Sequence, residues 1–358
     1  MFSLPIIQIL LAFISSFLLV LYTTPRVINI AKNLRLFDKP GRRSSHQKEI
    51  PVVGGIVIFC VFILSVLVWG GINISEFSTY YIKMQYIFVS LLIIFFTGVL
   101  DDLVSLSPLK KLVGQITSIF VLIYFCDLKI DNFHGVLGIY EIHPILCYLF
   151  TCFVVIVITN GFNLIDGVDG LAAGIGIISS FCFGVVAVLM SQYDMAVMAF
   201  TLIGVLFGFL KYNFHPAKIF MGDTGSLVVG MILSIFAINL IDSGFLFQQY
   251  SYVNKGPFLA ILFLSLPLFD SLRVFCVRVL RKKHPLKPAR DHIHHALLDL
   301  DLDHGKTSIL LYLFSIVTIS VFSFLVSVNI SFSIFLLAIF MNTVLFLPFY
   351  ILSKRNKK

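Results

Sequence analysis

The sequence predicts an all-α, polytopic integral membrane protein with about eleven transmembrane helices, its N-terminus outside and its C-terminus cytoplasmic. Three observations carry that expectation. The 358 residues are 59% hydrophobic and 12% charged, with a mean hydropathy of +1.00, whereas a soluble domain carries about twice that share of charge. The apolar residues gather in runs near the ~20 residues that a spanning helix needs. Lysine and arginine fall almost entirely on one set of connections.

The first run, Leu4 to Tyr22, has no basic residue before it and no small-residue cleavage site, so it reads as a permanent span and not a cleaved signal. Further runs follow at 52–69, 84–100, 111–126, 144–160, 171–190, 195–211, 224–241, 257–277, 307–327 and 331–352. The run at 144–160 is cut short by Asn160 and Gly161. No polar stretch is long enough to build a separate core. Residues 1–358 therefore read as a single polytopic domain, with active-site connections at 25–51, 101–111, 160–170, 212–223 and 278–306. The six cysteines lie in or at the ends of apolar runs without a CxxC pair, which suggests neither a disulfide framework nor a zinc site. The 38 phenylalanines read as lipid-facing packing.

Of the 26 basic residues, all but Lys83, Lys129 and Lys255 sit on connections 1–2, 3–4, 7–8 and 9–10, at adjoining helix ends, or in the C-terminal tail. The positive-inside rule makes that side cytoplasmic. The net charge of +8 is then a topology signal plus attraction to anionic headgroups. The basic stretches near 39–48 and 281–290 hug the membrane with no DNA-binding motif beside them, so no nucleic-acid partner is expected.

Four polar clusters share the cytoplasmic side. Asp101-Asp102 closes an apolar run, where two adjacent acids oppose the helix dipole and repel each other, an arrangement that a bare stop signal does not require. Lys111 follows one short loop later and could neutralise them or bind phosphate. Asn160, Asn163, Asp166 and Asp169 recur at a spacing of three, which on a helix puts them on one face. With glycines between them and no basic residue nearby, they suit a cation or a polar base and ribose. Gly222-Asp223-Thr224-Gly225-Ser226 opens another run; Asp223 or Thr224 is an ordinary N-cap, or the segment binds phosphate with Mg²⁺ held by Asp223. In Asp291-His292-Ile293-His294-His295, a helix would put His292 and His295 on one face, as phosphate donors or zinc ligands; the hard acids elsewhere favour Mg²⁺. In the first connection, FDKPGRRSSHQKEIPVVGG, the basic side chains can grip phosphate.

These residues resemble the polyprenyl-phosphate N-acetylhexosamine-1-phosphate transferases, a membrane superfamily with WecA-like and MraY-like branches. The matching segments are DDLVSLSPLKKLVGQ (101–115), NGFNLIDGVDGLAAG (160–174), HPAKIFMGDTGSL (215–227) and ARDHIHHAL (289–297), in order and spanning nearly the whole chain. The D-x-P…R-x-S-H…P-x-x-GG first loop and the H-I-H-H spacing resemble the WecA-like branch more closely. The resemblance implies transfer of N-acetylhexosamine-1-phosphate, with UDP-GlcNAc the expected donor, to undecaprenyl phosphate with release of UMP. It implies Mg²⁺, with Mn²⁺ as a substitute, on Asp223 and Asp166. Asp101, Asp102, Lys111, His292, His294 and His295 are the expected catalytic set. Asn160, Asn163, Asp166 and Asp169, with Arg42 and His46, are the expected substrate contacts. A multi-pass protein of a bacterial cytoplasmic (inner) membrane follows, active on its cytoplasmic face in contact with the bilayer, and a homodimer is compatible with it.

Two other readings stand beside this one. An MraY-like enzyme would take a phospho-N-acetylmuramoyl-pentapeptide donor. A transporter or flippase would place ionisable groups near the bilayer midplane on broken helices, whereas the acids here lie at helix ends on one face. Direct transfer and a two-step route through an aspartyl-phosphate both remain open.

Overall fold

In the computed structural model, the described residues are 4–34, 37–38, 50–70, 77–243, 255–282 and 291–355. Thirteen α-helices and two small hairpins make up the chain among them. In order they are α1 (Leu4–Asn33), a two-residue pairing of β1 (Phe37–Asp38) with β2 (Ile50–Pro51), α2 (Gly54–Trp69), α3 (Phe77–Val104) and α4 (Pro108–Cys126). An antiparallel hairpin of β3 (Asn132–Val136) and β4 (Ile139–Glu141) precedes α5 (Pro144–Ile165), α6 (Leu171–Leu189), α7 (Tyr193–Asn213) and α8 (Gly222–Ser243). The rest is α9 (Gly256–Phe263), α10 (Ser265–Leu280), the short α11 (Ile293–Asp299), α12 (His304–Ser323) with a 3₁₀ turn, and α13 (Ile330–Arg355).

Every expected apolar run has its helix, so the all-α polytopic architecture holds. Among the described residues, nine helices are long and apolar enough to cross a membrane unbroken; α2 is a shorter apolar helix of 16 residues. The ninth run differs. The expected straight span at 257–277 is two helices, α9 and α10, meeting at 79° around Leu264. Pro267 explains the break, because it has no N–H to give the carbonyl four residues back and its ring crowds that position. The orphaned carbonyl of Phe263 instead accepts from the hydroxyl of Ser179 on α6, at 2.8 Å. Exposed backbone inside a bilayer needs such a partner. The β3–β4 hairpin lies in a connection from which no strand was expected.

The core centres on α8, which is apolar on all sides and buried from Thr224 to Ile238. Helices α2, α3 and α5 pack around it, with α7 beside α1 and α6. The outer helices turn large apolar side chains outward, including Leu18, Phe96, Phe120, Leu313 and Val321, as a lipid-facing surface requires. Between helices the contacts are small and polar: Ser90 and Ser118 join α3 to α4 at 2.8 Å. Such bonds contribute about 0.6 kcal/mol each in lipid. All six cysteines are free.

Candidate active site

The site starts where the end of α3 meets the start of α8. Asp102, in the last turn of α3, accepts hydrogen bonds from the backbone N–H of Asp223 (2.8 Å) and of Thr224 (3.0 Å), and from the Thr224 hydroxyl (2.5 Å). It caps α8 from another helix, and its charge lies on the positive end of that helix's dipole. The unfavourable position at the end of α3 is thereby resolved. Neither Asp223 nor Thr224 serves as the N-cap that a sequence reading allows, because α8 begins at Gly222. Gly222 has φ of +71°, and a Cβ there would lie 2.8 Å from an Asp102 carboxylate oxygen, so this turn needs glycine twice over.

With the cap supplied from outside, the Asp223 side chain turns to other partners. It accepts from the Asn163 amide and meets Lys111 Nζ at 3.3 Å. The same ammonium lies 3.0 Å from Asp101 Oδ2 and 3.4 Å from Asn163 Oδ1. Asp101 also accepts from the Leu106 N–H at 2.7 Å, closing the turn into α4. The Asn163 amide donates further to the Ser226 hydroxyl at 2.8 Å. One turn back on α5, the Asn160 carbonyl oxygen accepts from Gln115 of α4 at 3.1 Å.

The expected single face of Asn160, Asn163, Asp166 and Asp169 is only half present. Asn160 and Asn163 lie on α5, but the helix ends at Ile165 and Asp166 is its C-cap. The glycines at 167 and 170 turn the chain there, and Gly170 adopts φ of +78°. Asp166 stays with the first cluster, accepting from the Gly222 N–H. Burial, followed by the charges of Asp223 and Asp102, pushes its carboxyl well above the usual range. Asp169 faces elsewhere, 2.8 Å from His215 Nδ1 and 3.4 Å from His304 Nδ1, and accepts the Ala217 N–H at 3.1 Å. Burial alone would raise its carboxyl, but bonds to His304, His215 and Ala217 outweigh that and hold it below the usual value. Asp169, His215 and His304 offer three ligand atoms within 4.8 Å of one another, a set that could hold a metal ion by itself.

The histidine segment also departs from a single helical face. His292 is extended (φ −78°, ψ 155°) and precedes α11, so it does not share a helix face with His295. Its Nδ1 lies 2.8 Å from Asp270 of α10. The His294 ring lies 5.8 Å from that of His292 and 4.2 Å from that of His295. His294 is buried, and its Nε2 lies 3.0 Å from where a Cβ on Gly167 would be. The histidines thus abut the turn that carries Asp166. Burial, followed by the charge of His295, holds His294 down at about 3, so it is neutral at physiological pH. Arg42 and His46 lie outside the described residues.

Asp270, Arg273, Gln115, His215 and His304 belong to this assembly without having been singled out in the sequence. A signal for Asp270 existed: it is a lone acid inside the run FLSLPLFDSLRVF, and an ionisable group within a span is a functional candidate by default.

For Mg²⁺, the donor set decides the fit. Asp101, Asp102, Asp166 and Asp223 converge on one another, and among the described residues only Lys111 brings a cation onto them. An excess of hard oxygen donors suits Mg²⁺ or Mn²⁺ better than a soft metal.

A multi-pass membrane bundle carrying an acidic, amide-rich site at one end of its helices is the class that the fold and this geometry define. Residues 84–241 match the Glycosyl transferase family 4 profile, and the chain belongs to that family. It is 36% identical to the probable undecaprenyl-phosphate N-acetylglucosaminyl 1-phosphate transferase of Bacillus subtilis, over 94% of this chain and 91% of that one. With the undecaprenyl-phosphate alpha-N-acetylglucosaminyl 1-phosphate transferase of Escherichia coli K12 it shares 27% identity over 75% of this chain and 71% of the other. With the phospho-N-acetylmuramoyl-pentapeptide-transferase of Borrelia turicatae it shares 34% over a shorter stretch, 64% of this chain and 73% of the other. These similarities agree with the WecA-like resemblance read from the motifs.

Proposed function

We propose that the protein transfers N-acetylglucosamine-1-phosphate from UDP-GlcNAc to undecaprenyl phosphate, releasing UMP and forming the first lipid-linked intermediate of a cell-surface polysaccharide. The relatives' names support the reaction. The observation that carries it is the gathering of Asp101, Asp102, Asp166 and Asp223 at the helix ends, with Lys111 bridging Asp101 and Asp223. The distribution of lysine and arginine supports placing this end at the cytoplasmic face of the inner membrane, where a soluble nucleotide sugar meets a lipid phosphate.

The lipid phosphate is already largely ionised near neutral pH, so the enzyme has chiefly to align two anions and neutralise their charge. Mg²⁺, or Mn²⁺ in its place, would be held by Asp223 with Asp166 and supplies charge neutralisation for the diphosphate. Lys111 reaches both Asp101 and Asp223 and can turn from either to a phosphate oxygen. Asn163 keeps the Asp223 carboxylate in place while Ser226 holds the Asn163 amide. Asp102 is committed to the start of α8, which leaves Asp101 as the acid able to take a residual proton from the lipid phosphate. His294 lies against the Asp166 turn with His295 beside it, both placed as donors to phosphate oxygens, while His292, its Nδ1 turned to Asp270, offers Nε2 as a proton acceptor. Asp169, fixed by His215 and His304, faces away from the carboxylate cluster and suits the nucleotide's polar edge.

The test is UMP release by detergent-purified protein given undecaprenyl phosphate, Mg²⁺ and a panel of UDP-sugars. Release that requires lipid and metal, with UDP-GlcNAc the best donor, is expected. Release from UDP-N-acetylmuramoyl-pentapeptide alone would replace this reading with the MraY-like one, and no release from folded protein would discard both.

A further inference from the structure

We propose that Asp270 is a positioning residue for the transfer: it holds His292 in the tautomer with its hydrogen on Nδ1, leaving Nε2 as the ring nitrogen available to the site. This rests on the reading that His292 serves phosphoryl transfer.

Asp270 lies on α10, just past the break at Leu264, and is fully buried. A carboxylate buried so deeply persists only when its oxygens are bonded. Here the two oxygens divide the work. Oδ1 accepts from Arg273 Nη2 at 2.8 Å and from the Ile293 N–H at 3.1 Å, tying α10 to the start of α11. Oδ2 faces His292 Nδ1 at 2.8 Å. A carboxylate can only accept, so the hydrogen must be on Nδ1. The Arg273 guanidinium is itself fixed, donating to the Asp291 carbonyl at 2.6 Å and lying 4.2 Å over the Phe349 ring. The His292 ring, 5% exposed, then stacks within 6° of parallel to His294, which reaches Gly167 beside Asp166. Contacts therefore run unbroken from the buried acid to the carboxylate cluster.

The asymmetry of the carboxylate makes Asp270→Asn an unusually direct test. Two donors already point at the Oδ1 position, so the asparagine oxygen must occupy it. The amide NH₂ must then take the Oδ2 position and donate to His292 Nδ1, which moves the ring hydrogen to Nε2. The substitution keeps shape and the bonds to Arg273 and Ile293 while reversing one tautomer. The expected loss is on the order of 10²–10⁴-fold in kcat, the range in which misdirected histidines fall in acid–base sites. KM for the UDP-sugar should change little, because the groups that bind the nucleotide are untouched.

Three measurements on the full chain in detergent decide it. Kinetics should show the kcat loss, and Asp270→Asn should add nothing further in a His292→Gln background. The ¹⁵N spectrum of the histidine rings at pH 8, with His292 assigned by its disappearance in His292→Gln, should place the hydrogen on Nδ1 in the unsubstituted protein and on Nε2 in Asp270→Asn. A hydrogen on Nε2 in the unsubstituted protein overturns the proposal even if the variant fails to fold. So does an additive loss in the double variant, or full activity in Asp270→Asn. If the unsubstituted protein releases no UMP from any donor, the transferase reading falls, while the ring-nitrogen measurement still decides what Asp270 does.

Discussion

Asp102 and Asp223 are neighbouring acids of one site, yet the geometry assigns them opposite responses to the same isosteric change. Asp102 accepts three hydrogen bonds from the first turn of α8, at 2.8, 3.0 and 2.5 Å. Asparagine keeps one oxygen and presents an NH₂ group to at least one of those donors whichever way it turns. The unsatisfied donor costs about 1–3 kcal/mol. Loss of the negative charge at the helix N-terminus adds roughly 0.5–1 kcal/mol. Asp102→Asn should therefore cost about 1.5–4 kcal/mol, a drop of several degrees in Tm. Asp223→Asn loses no cap and removes one charge from a crowded acidic cluster, so its Tm should match or exceed that of the parent. Its turnover should fall on the order of 10³-fold or more, the scale expected for removing a metal ligand or charge-stabilising group. Thermal unfolding in detergent, paired with UMP release, separates the two. An Asp102→Asn protein as stable as its parent but inactive would refute the capping argument and move Asp102 to the chemistry. An active Asp223→Asn protein would refute the metal assignment.

Other outcomes follow from the same geometry. Asp166 has its carboxyl raised by burial and by Asp223 and Asp102, so the folded chain retains a proton that the unfolded chain releases near pH 3.8, and stability is lost as pH rises through the raised value. A divalent cation takes that proton's place; the Tm gain from Mg²⁺ should therefore grow as pH rises through the carboxyl's raised titration, and a gain independent of pH would count against Asp166 as a ligand. His294 titrates near 3 when folded against 6.5 when unfolded, so the unfolded state binds more protons and stability falls as pH drops below about 6.5. The slope from this group is at most ~1.4 kcal/mol per pH unit; His294→Gln should flatten the acid limb of a Tm–pH curve, and an unchanged limb would show that another group dominates. Ser179→Ala leaves the Phe263 carbonyl without its acceptor bond at the α9–α10 break and should cost about 0.6–1.7 kcal/mol; an unchanged Tm would mean that the carbonyl finds another donor.

The spans were legible because lipid imposes one requirement on every residue of a run, and hydropathy averages it. The helix ends were not, since an apolar run stops where lipid stops while its hydrogen bonds continue: α1 runs to Asn33, eleven residues past the expected end at Tyr22. Pro267 sits in plain view, but a proline in an apolar run is compatible with a kinked span or a broken one. The outcome depends on whether a neighbour such as Ser179 can donate to the freed carbonyl. The site was legible as residue types at helix ends and illegible as partnerships. Spacing by three put Asp166 and Asp169 on one face, and two glycines sent them to different partners. His215 and His304 are 89 residues apart in number, and nothing local to either marks that both meet Asp169.

The placement of the acids follows from what burying them would cost anywhere else. Each carboxylate is offset by a helix terminus, an ammonium or a histidine: Asp102 by the start of α8, Asp101 by Lys111, Asp270 by Arg273 and His292. Such compensators occur together only where several helices end at one level, and there a lipid-borne anion can meet a water-borne one. The broken span extends this logic inward. A straight α9–α10 would carry Asp270 along a lipid-crossing axis with only its own helix for company. The 79° turn at Leu264 instead directs α10 so that Asp270 meets the N-terminus of α11, and one buried acid orders both the arginine and the histidine segment. Straightening the break should therefore cost activity before it costs insertion. Pro267→Ala, which restores a donor for the Phe263 carbonyl, should remain membrane-inserted and lose turnover in proportion to the loss of the His292–Asp270 contact, read from the same ring-nitrogen signals. A fully active Pro267→Ala protein with those signals unchanged would show that the bend is held by packing and not by the proline.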